Sequence, residues 1–86
     1  MTFTLILLRH AKSAYPEGVS DHDRPLNGRG RRDAPVAGRL IAGLVPEVER
    51  ALVSTAIRAQ QTWELARPAL KVGKQSDVKK AIVTLA

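Results

Sequence analysis

Cysteine is absent from the 86 residues, which excludes disulfides and thiolate metal sites and fits a reducing compartment. Aromatics are scarce, with Phe3, Tyr15 and Trp63 the only three. A core must therefore be aliphatic, and surfaces for stacking nucleic-acid bases are missing. No apolar run approaches the ~20 residues of a membrane span, and the opening residues lack the basic segment of a secretory signal. A cytoplasmic setting with no membrane partner is expected. The two histidines, His10 and His22, have no zinc-ligand spacing around them, so no metal is expected. Acidic residues are outnumbered, 8 against 14 basic, for a net charge of +6. Such an excess suits an anionic partner. The basic residues are dispersed apart from Arg29, Arg31 and Arg32, so an anionic small substrate fits better than nucleic acid.

A hydrophobic share of 44% is enough for one small core in a single domain spanning the 86 residues. Residues 3–8 read as a buried strand, a short continuous apolar run of the kind found in parallel sheets. Residues 9–26 have no period and contain Pro16, Gly18 and Pro25, a loop long enough to suggest a functional role. A helix is expected from Asn27, whose side chain can cap it, with Ala34, Ala37, Leu40, Ile41 and Leu44 on its apolar face. Pro35 should kink it or shift its start, and Gly43 and Pro46 should close it. Residues 50–53 predict a second strand. A second helix is expected over 55–67, with Ala59, Trp63, Ala66 and Leu70 on one face and Ser54 as its cap. Residues 71–80 read as a lysine-rich linker and 81–85 as a third strand. Strand, helix, strand, helix is the order of a parallel α/β sheet. Two or three strands make a small sheet, so the chain reads as part of something about twice as long, prone to self-association as a homo-oligomer.

The chemistry concentrates where the strands end. In open parallel sheets ligands bind beyond the carboxyl ends of the strands. Arg9 and His10 follow the first strand; Ser54 follows the second, with Arg58 a turn further on. If the two strands are neighbours, two guanidiniums, a helix N-terminus and an imidazole converge there. Arginine pairs phosphate oxygens two at a time and keeps its charge. A neutral imidazole offers a nitrogen lone pair that can attack phosphorus, while the arginines offset the charge of the transition state.

These motifs resemble those of the histidine phosphatase superfamily, which includes phosphoglycerate mutases and acid phosphatases. Arg9-His10-Ala11 is similar to the R-H-G that follows the family's first strand. The stretch from Ser54 through Arg58 to Gln61-Thr62 is similar to its S-x-x-x-R-x-x-Q-T. Asp23-Arg24-Pro25-Leu26, followed by Gly28-Arg29-Gly30, resembles the D-R-P-L-x-x-x-G of the smallest branch, the SixA-type phosphohistidine phosphatases. The resemblance covers residues 3–70 and implies an α/β fold: a parallel sheet in a three-layer α/β/α arrangement of the phosphoglycerate mutase kind, here incomplete. It implies that His10 is the nucleophile, that Arg9 and Arg58 grip the phosphoryl group, and that Arg24 adds a basic contact. The alternative for Arg24 is a loop arginine paired to Asp21 or Asp23. Lys12 and Ser13 are candidates for the pocket mouth. The implied substrate is a phosphorylated protein or a small phosphoester, and no cofactor is implied.

Two departures stand out. Ala11 replaces the commoner glycine. The family's second histidine, in a G-H motif after a late strand, has no counterpart, since His22 lies upstream in the loop. Residues 71–86 show no resemblance to the family and are expected to be an unmatched tail. The sequence therefore supports two readings: a phosphatase of low activity, or a non-catalytic phosphate-binding or protein-interaction fragment of the same fold.

Overall fold

The computed structural model describes residues 4–45, 47–73 and 80–85. Strand β1 (Thr4–Arg9) leads through a long loop to helix α1 (Gly28–Leu44). Two short strands, β2 (Glu47–Val48) and β3 (Arg50–Val53), precede helix α2 (Ile57–Ala66), and β4 (Lys71–Val72) and β5 (Lys80–Leu85) follow. The predicted α/β class and the parallel sheet are present. Phe3, expected to open β1, and Pro46, expected to close α1, lie outside the described residues, as do 74–79 of the predicted linker. That linker begins with β4, which pairs in parallel with β2.

The main sheet has the order β1-β5-β3, all parallel. The strands that carry the two motifs are therefore not neighbours, contrary to the condition set by the sequence reading. The third strand lies between them, and its register runs from Thr4↔Lys80 to Arg9↔Leu85 on one side and from Arg50↔Ala81 to Val53↔Thr84 on the other.

Both helices pack on one face of this sheet. Ile6, Leu8, Ile82, Ala51 and Val53 meet Ile41, Trp63, Ala66 and Leu70 to form the core, with buried Val48 at its edge. The opposite face, which alternation assigns to Leu5, Leu7, Leu52 and Leu85, leaves those leucines 46–63% exposed. Among the described residues the structure thus has two layers, one helical and one sheet. Parallel sheets are normally covered on both faces, and the apolar runs of β1 and β5 fit that rule.

Helix α1 differs from its predicted face. Ala34 and Ile41 are buried and Ala37 is half-buried, but Leu40 and Leu44 are 68% and 79% exposed. Glycines explain the rotation. Gly30 and Gly38 are buried, and a Cβ on Gly38 would overlap the Ala66 carbonyl of α2. The two helices touch backbone to backbone there, so the buried stripe follows the small residues instead of the large ones. The helix also runs through Pro35 without interruption, giving up only the N–H that would have bonded the Arg31 carbonyl. On α2 the expected face is buried as read: Ala59, Trp63 and Ala66, with Leu70 beyond the helix end.

Gly38→Ala should lower stability by about 1–3 kcal/mol through overpacking, read from urea unfolding. Gly43→Ala, with nothing within 4 Å of its Cβ, should instead be neutral or stabilising by up to about 1 kcal/mol. Equal effects at the two positions would contradict the close helix crossing.

Candidate active site

The ends of β1 and β3 are brought together by β5. The backbone N–H of His10 donates to the Leu85 carbonyl at 3.2 Å, and that of Ser54 to the Thr84 carbonyl at 3.0 Å. The two motifs therefore start from consecutive residues of one strand, about 10 Å apart at two strand spacings. Convergence survives the intervening strand because all three run parallel and end at one edge.

Beyond that edge lies a cavity of about 510 Å³. Arg9, His10, Arg24 and Arg58 all line it, along with Lys12 and Ser13. Tyr15, Arg29 and Asp33 also line it and were not foreseen. Ala11, which also lines the cavity, stands where glycine is commoner in the resembling motif. His22 is exposed in the turn Asp21–Asp23 and does not line the cavity. Among the described residues, cations outnumber acids in this lining, with Asp33 alone negative.

The His10 ring is held by its own loop. Its Nδ1 lies 2.7 Å from the Ala11 carbonyl oxygen. A carbonyl can only accept, so Nδ1 carries the proton, and in the neutral imidazole the lone pair is then on Nε2. A half-buried imidazole with a free Nε2 is thereby fixed among arginines.

Helix α2 supplies the other wall. It starts at Ile57, two residues later than predicted, with Ala56 at the cap position. Ser54 is not the helix cap: its Oγ accepts from the Ala56 N–H at 3.2 Å, closing a turn ahead of the helix. Gln60 Nε2 donates to the Ser54 carbonyl at 2.7 Å and tightens the same turn. Arg58 is thus placed in the first turn of α2 with its side chain 10% exposed. Its Nη1 donates to the Asp21 carbonyl at 2.7 Å and its Nη2 to Asp21 Oδ2 at 3.2 Å. Its Nε is buried with no partner among the described residues.

Arg24 pairs with Asp21, as the alternative reading has it, while lining the cavity. Its Nε and Nη2 reach Asp21 Oδ1 at 3.1 and 3.0 Å. Nη1 donates to Ser13 Oγ at 2.9 Å, and the guanidinium lies 4.2 Å from the centroid of the Tyr15 ring. Most of its N–H groups are occupied within the loop, so its offering to a ligand is chiefly charge. Hydrogen bonding from Arg24, and then the charge of Arg58, hold the Asp21 carboxyl below the usual carboxylate range.

The end of the second motif has structural work that its sequence did not disclose. Gln61 Oε1 accepts from the Leu26 N–H at 2.8 Å. Thr62 Oγ1 accepts from the Ala11 N–H at 3.0 Å and donates to the Arg58 carbonyl at 2.6 Å. Gln61 and Thr62 therefore pin the two ends of the long loop. Those ends also pair with each other: Ala14 N–H to the Pro25 carbonyl at 2.8 Å, and Asn27 N–H to the Lys12 carbonyl at 2.9 Å. Asn27 caps α1 as expected, its Oδ1 accepting from the Gly30 N–H at 2.9 Å. Gly30 lets α1 lie directly on the Lys12 backbone, where any Cβ would overlap it.

The histidine phosphatase superfamily (branch 1) matches residues 5–80, and the chain belongs to that family. The match runs through residue 80, ten residues into the tail from 71 onward that the sequence reading leaves unmatched. The chain is 56% identical over 55 residues to the uncharacterised protein Rv1276c of Mycobacterium tuberculosis, covering 64% of this chain and 35% of that protein. It is 39% identical over 59 residues to the chloroplastic protein At3g52155 of Arabidopsis thaliana, covering 67% and 27%. Among solved structures it is similar to a candidate phosphohistidine phosphatase SixA of Nakamurella multipartitia, with a TM-score of 0.79 and 30% identity over 95% of this chain and 58% of that one. A second, the candidate SixA of Agrobacterium tumefaciens, gives a TM-score of 0.85 and 25% identity over 100% and 70%. The chain spans about a third of the length of the curated relatives it matches.

Thr62→Val should leave the Ala11 N–H without its acceptor and cost about 1–3 kcal/mol, measured by denaturant unfolding. Thr62→Ser should restore most of the loss. A valine variant as stable as the parent would mean that the hydroxyl does not hold the loop.

Proposed function

We propose that the chain carries the phosphoryl-transfer half of a phosphohistidine phosphatase and that His10 is its nucleophile. The observation that carries this reading is the Nδ1 hydrogen bond to Ala11, which leaves Nε2 free in a cavity lined by Arg9, Arg24 and Arg58. The phosphoryl group of a phosphorylated protein histidine, or of a small phosphoester, enters with its oxygens toward the guanidiniums. Nε2 of His10 attacks phosphorus as the bond to the leaving group breaks, and the leaving group takes up a proton. Water then attacks the phosphohistidine, its oxygen bonding to phosphorus as the Nε2–P bond breaks. Phosphate leaves and the imidazole is regenerated. The arginines act by offsetting charge on the equatorial oxygens, a contribution realised most fully in the transition state.

Phosphate binding with little turnover is the second reading. It is favoured by a lining in which His10 is the one histidine among the described residues. General acid–base help is worth about 10²–10⁴ in rate, so slow turnover is expected of the 86-residue chain even where phosphoryl transfer to His10 proceeds. Incubation with phosphoramidate should yield an acid-labile phosphohistidine at position 10, detected by mass spectrometry. His10→Ala should abolish it, and Arg58→Ala should slow its formation by about 10²–10³. Labelling that persists in the His10→Ala protein would reject the nucleophile assignment.

The uncovered sheet face leads to a separate expectation, a self-associating chain. Leu5, Leu7, Leu52 and Leu85 on one side of the sheet form an aliphatic surface that water solvates poorly. Sedimentation velocity should find a dimer or larger species, shifted toward monomer by Leu7→Lys. A monomer across all accessible concentrations would contradict this.

A further inference from the structure

One group beside the cavity has no part in the phosphoryl chemistry described above, although it touches two of the residues that do. The Asp21 carboxylate spans both arginines: Oδ1 accepts from Arg24, and Oδ2 accepts from Arg58. Its side chain is 75% exposed, so the core does not need it. Both arginines line the cavity, and Asp21, bonded to each of them, is not among the lining residues.

We propose that Asp21 is a positioning residue, which clamps the Arg24 and Arg58 guanidiniums into one wall of the phosphate cavity; this rests on the phosphate-binding reading of that cavity. Two guanidiniums brought side by side repel each other, and a carboxylate shared between them offsets that repulsion. The clamp uses one N–H on each terminal nitrogen of Arg58, leaving the remaining terminal N–H groups for an anion. It also joins two distant parts of the chain, because Arg24 belongs to the loop and Arg58 to α2. The turn that presents Asp21 is itself braced, with Ser20 Oγ donating to Asp23 Oδ2 at 3.0 Å. Asp21 therefore fixes where the loop's charge stands relative to the charge on the helix.

Asp21→Asn isolates this role. It keeps the side-chain size and the backbone carbonyl that accepts from Arg58, and it removes the charge together with one of the two acceptor oxygens, which becomes an NH2 donor. The two possible effects on phosphate have opposite signs. Removing a negative charge beside the cavity would by itself tighten anion binding. Loss of positioning weakens it, by about fivefold for a pair this exposed. Calorimetric titration of the 86-residue chain with inorganic phosphate at fixed ionic strength should find weaker binding in Asp21→Asn and partial recovery in Asp21→Glu. Tighter or unchanged binding in Asp21→Asn would overturn the proposal. Side-chain ¹⁵N signals of the arginines supply a readout independent of phosphate. Those of Arg24 and Arg58 should shift together in Asp21→Asn and stay in place in Glu64→Gln, a change on the far side of α2 where Glu64 pairs with Arg67. Arginine signals that do not respond to Asp21→Asn would also overturn the clamp. Failure of the parent chain to bind phosphate, with the coupled arginine shifts intact, would overturn the cavity's phosphate reading and leave a clamp without a ligand.

Discussion

The loop between β1 and α1 carries much of the cavity lining but little regular structure, so its shape depends on what grips it from outside. That grip is the polar edge of α2. Arg58 holds the middle of the loop through Asp21, Gln61 holds its end through the Leu26 N–H, and Thr62 holds its start through the Ala11 N–H. Positions 58, 61 and 62 fall on one side of a helix by their spacing alone. A single helix thereby sets three points along an irregular segment. Ala11 matters most, because the imidazole of His10 is oriented by the carbonyl of the same residue whose N–H is tied to Thr62.

The electrostatics follow the same economy. A cluster of cations in a small chain carries a self-repulsion that must be met locally. Asp21 meets it for Arg24 and Arg58, and Asp33 pairs with Arg29 at 3.4 Å on α1. Arg9 has no ion pair among the described residues. The lining is thus partly neutralised on its loop and helix walls, with a free positive charge where β1 ends. With Lys12 also in the lining, the positive excess suits an anion entering there without either ion pair being broken.

Much of this was legible in the sequence because the relevant signals are local. The apolar runs of β1, β3 and β5, the Asn27 cap and the apolar face of α2 each depend on residues a few positions apart. Arg9, His10, Arg24 and Arg58 could be named from three short motifs. What escaped was set by tertiary contact. Strand order could not be read, since parallel strands of similar composition carry no label for their neighbours. The rotation of α1 was missed because its large residues, Leu40 and Leu44, suggested a face that the helix crossing at Gly38 overrides. Ser54 looked like a cap because the residue type favours one, and only the backbone path reveals that it closes the preceding turn instead. Tyr15, Arg29 and Asp33 reach the cavity through the fold of the loop and the docking of α1, which no spacing rule encodes.

The central place of β5 has a kinetic side. β1 and β3 make no ladder with each other, so neither belongs to a sheet until residues 80–85 arrive between them. The pairing that completes β1 joins positions more than seventy residues apart in the chain, from Thr4↔Lys80 onward. Contacts so remote in sequence form slowly, because the entropy of closing the intervening loop is lost before any ladder bond is gained. During synthesis the aliphatic edges of β1 and β3 would emerge first and wait unpaired. The order of assembly, and with it the interval in which those edges could meet other chains, is written into the position of one strand.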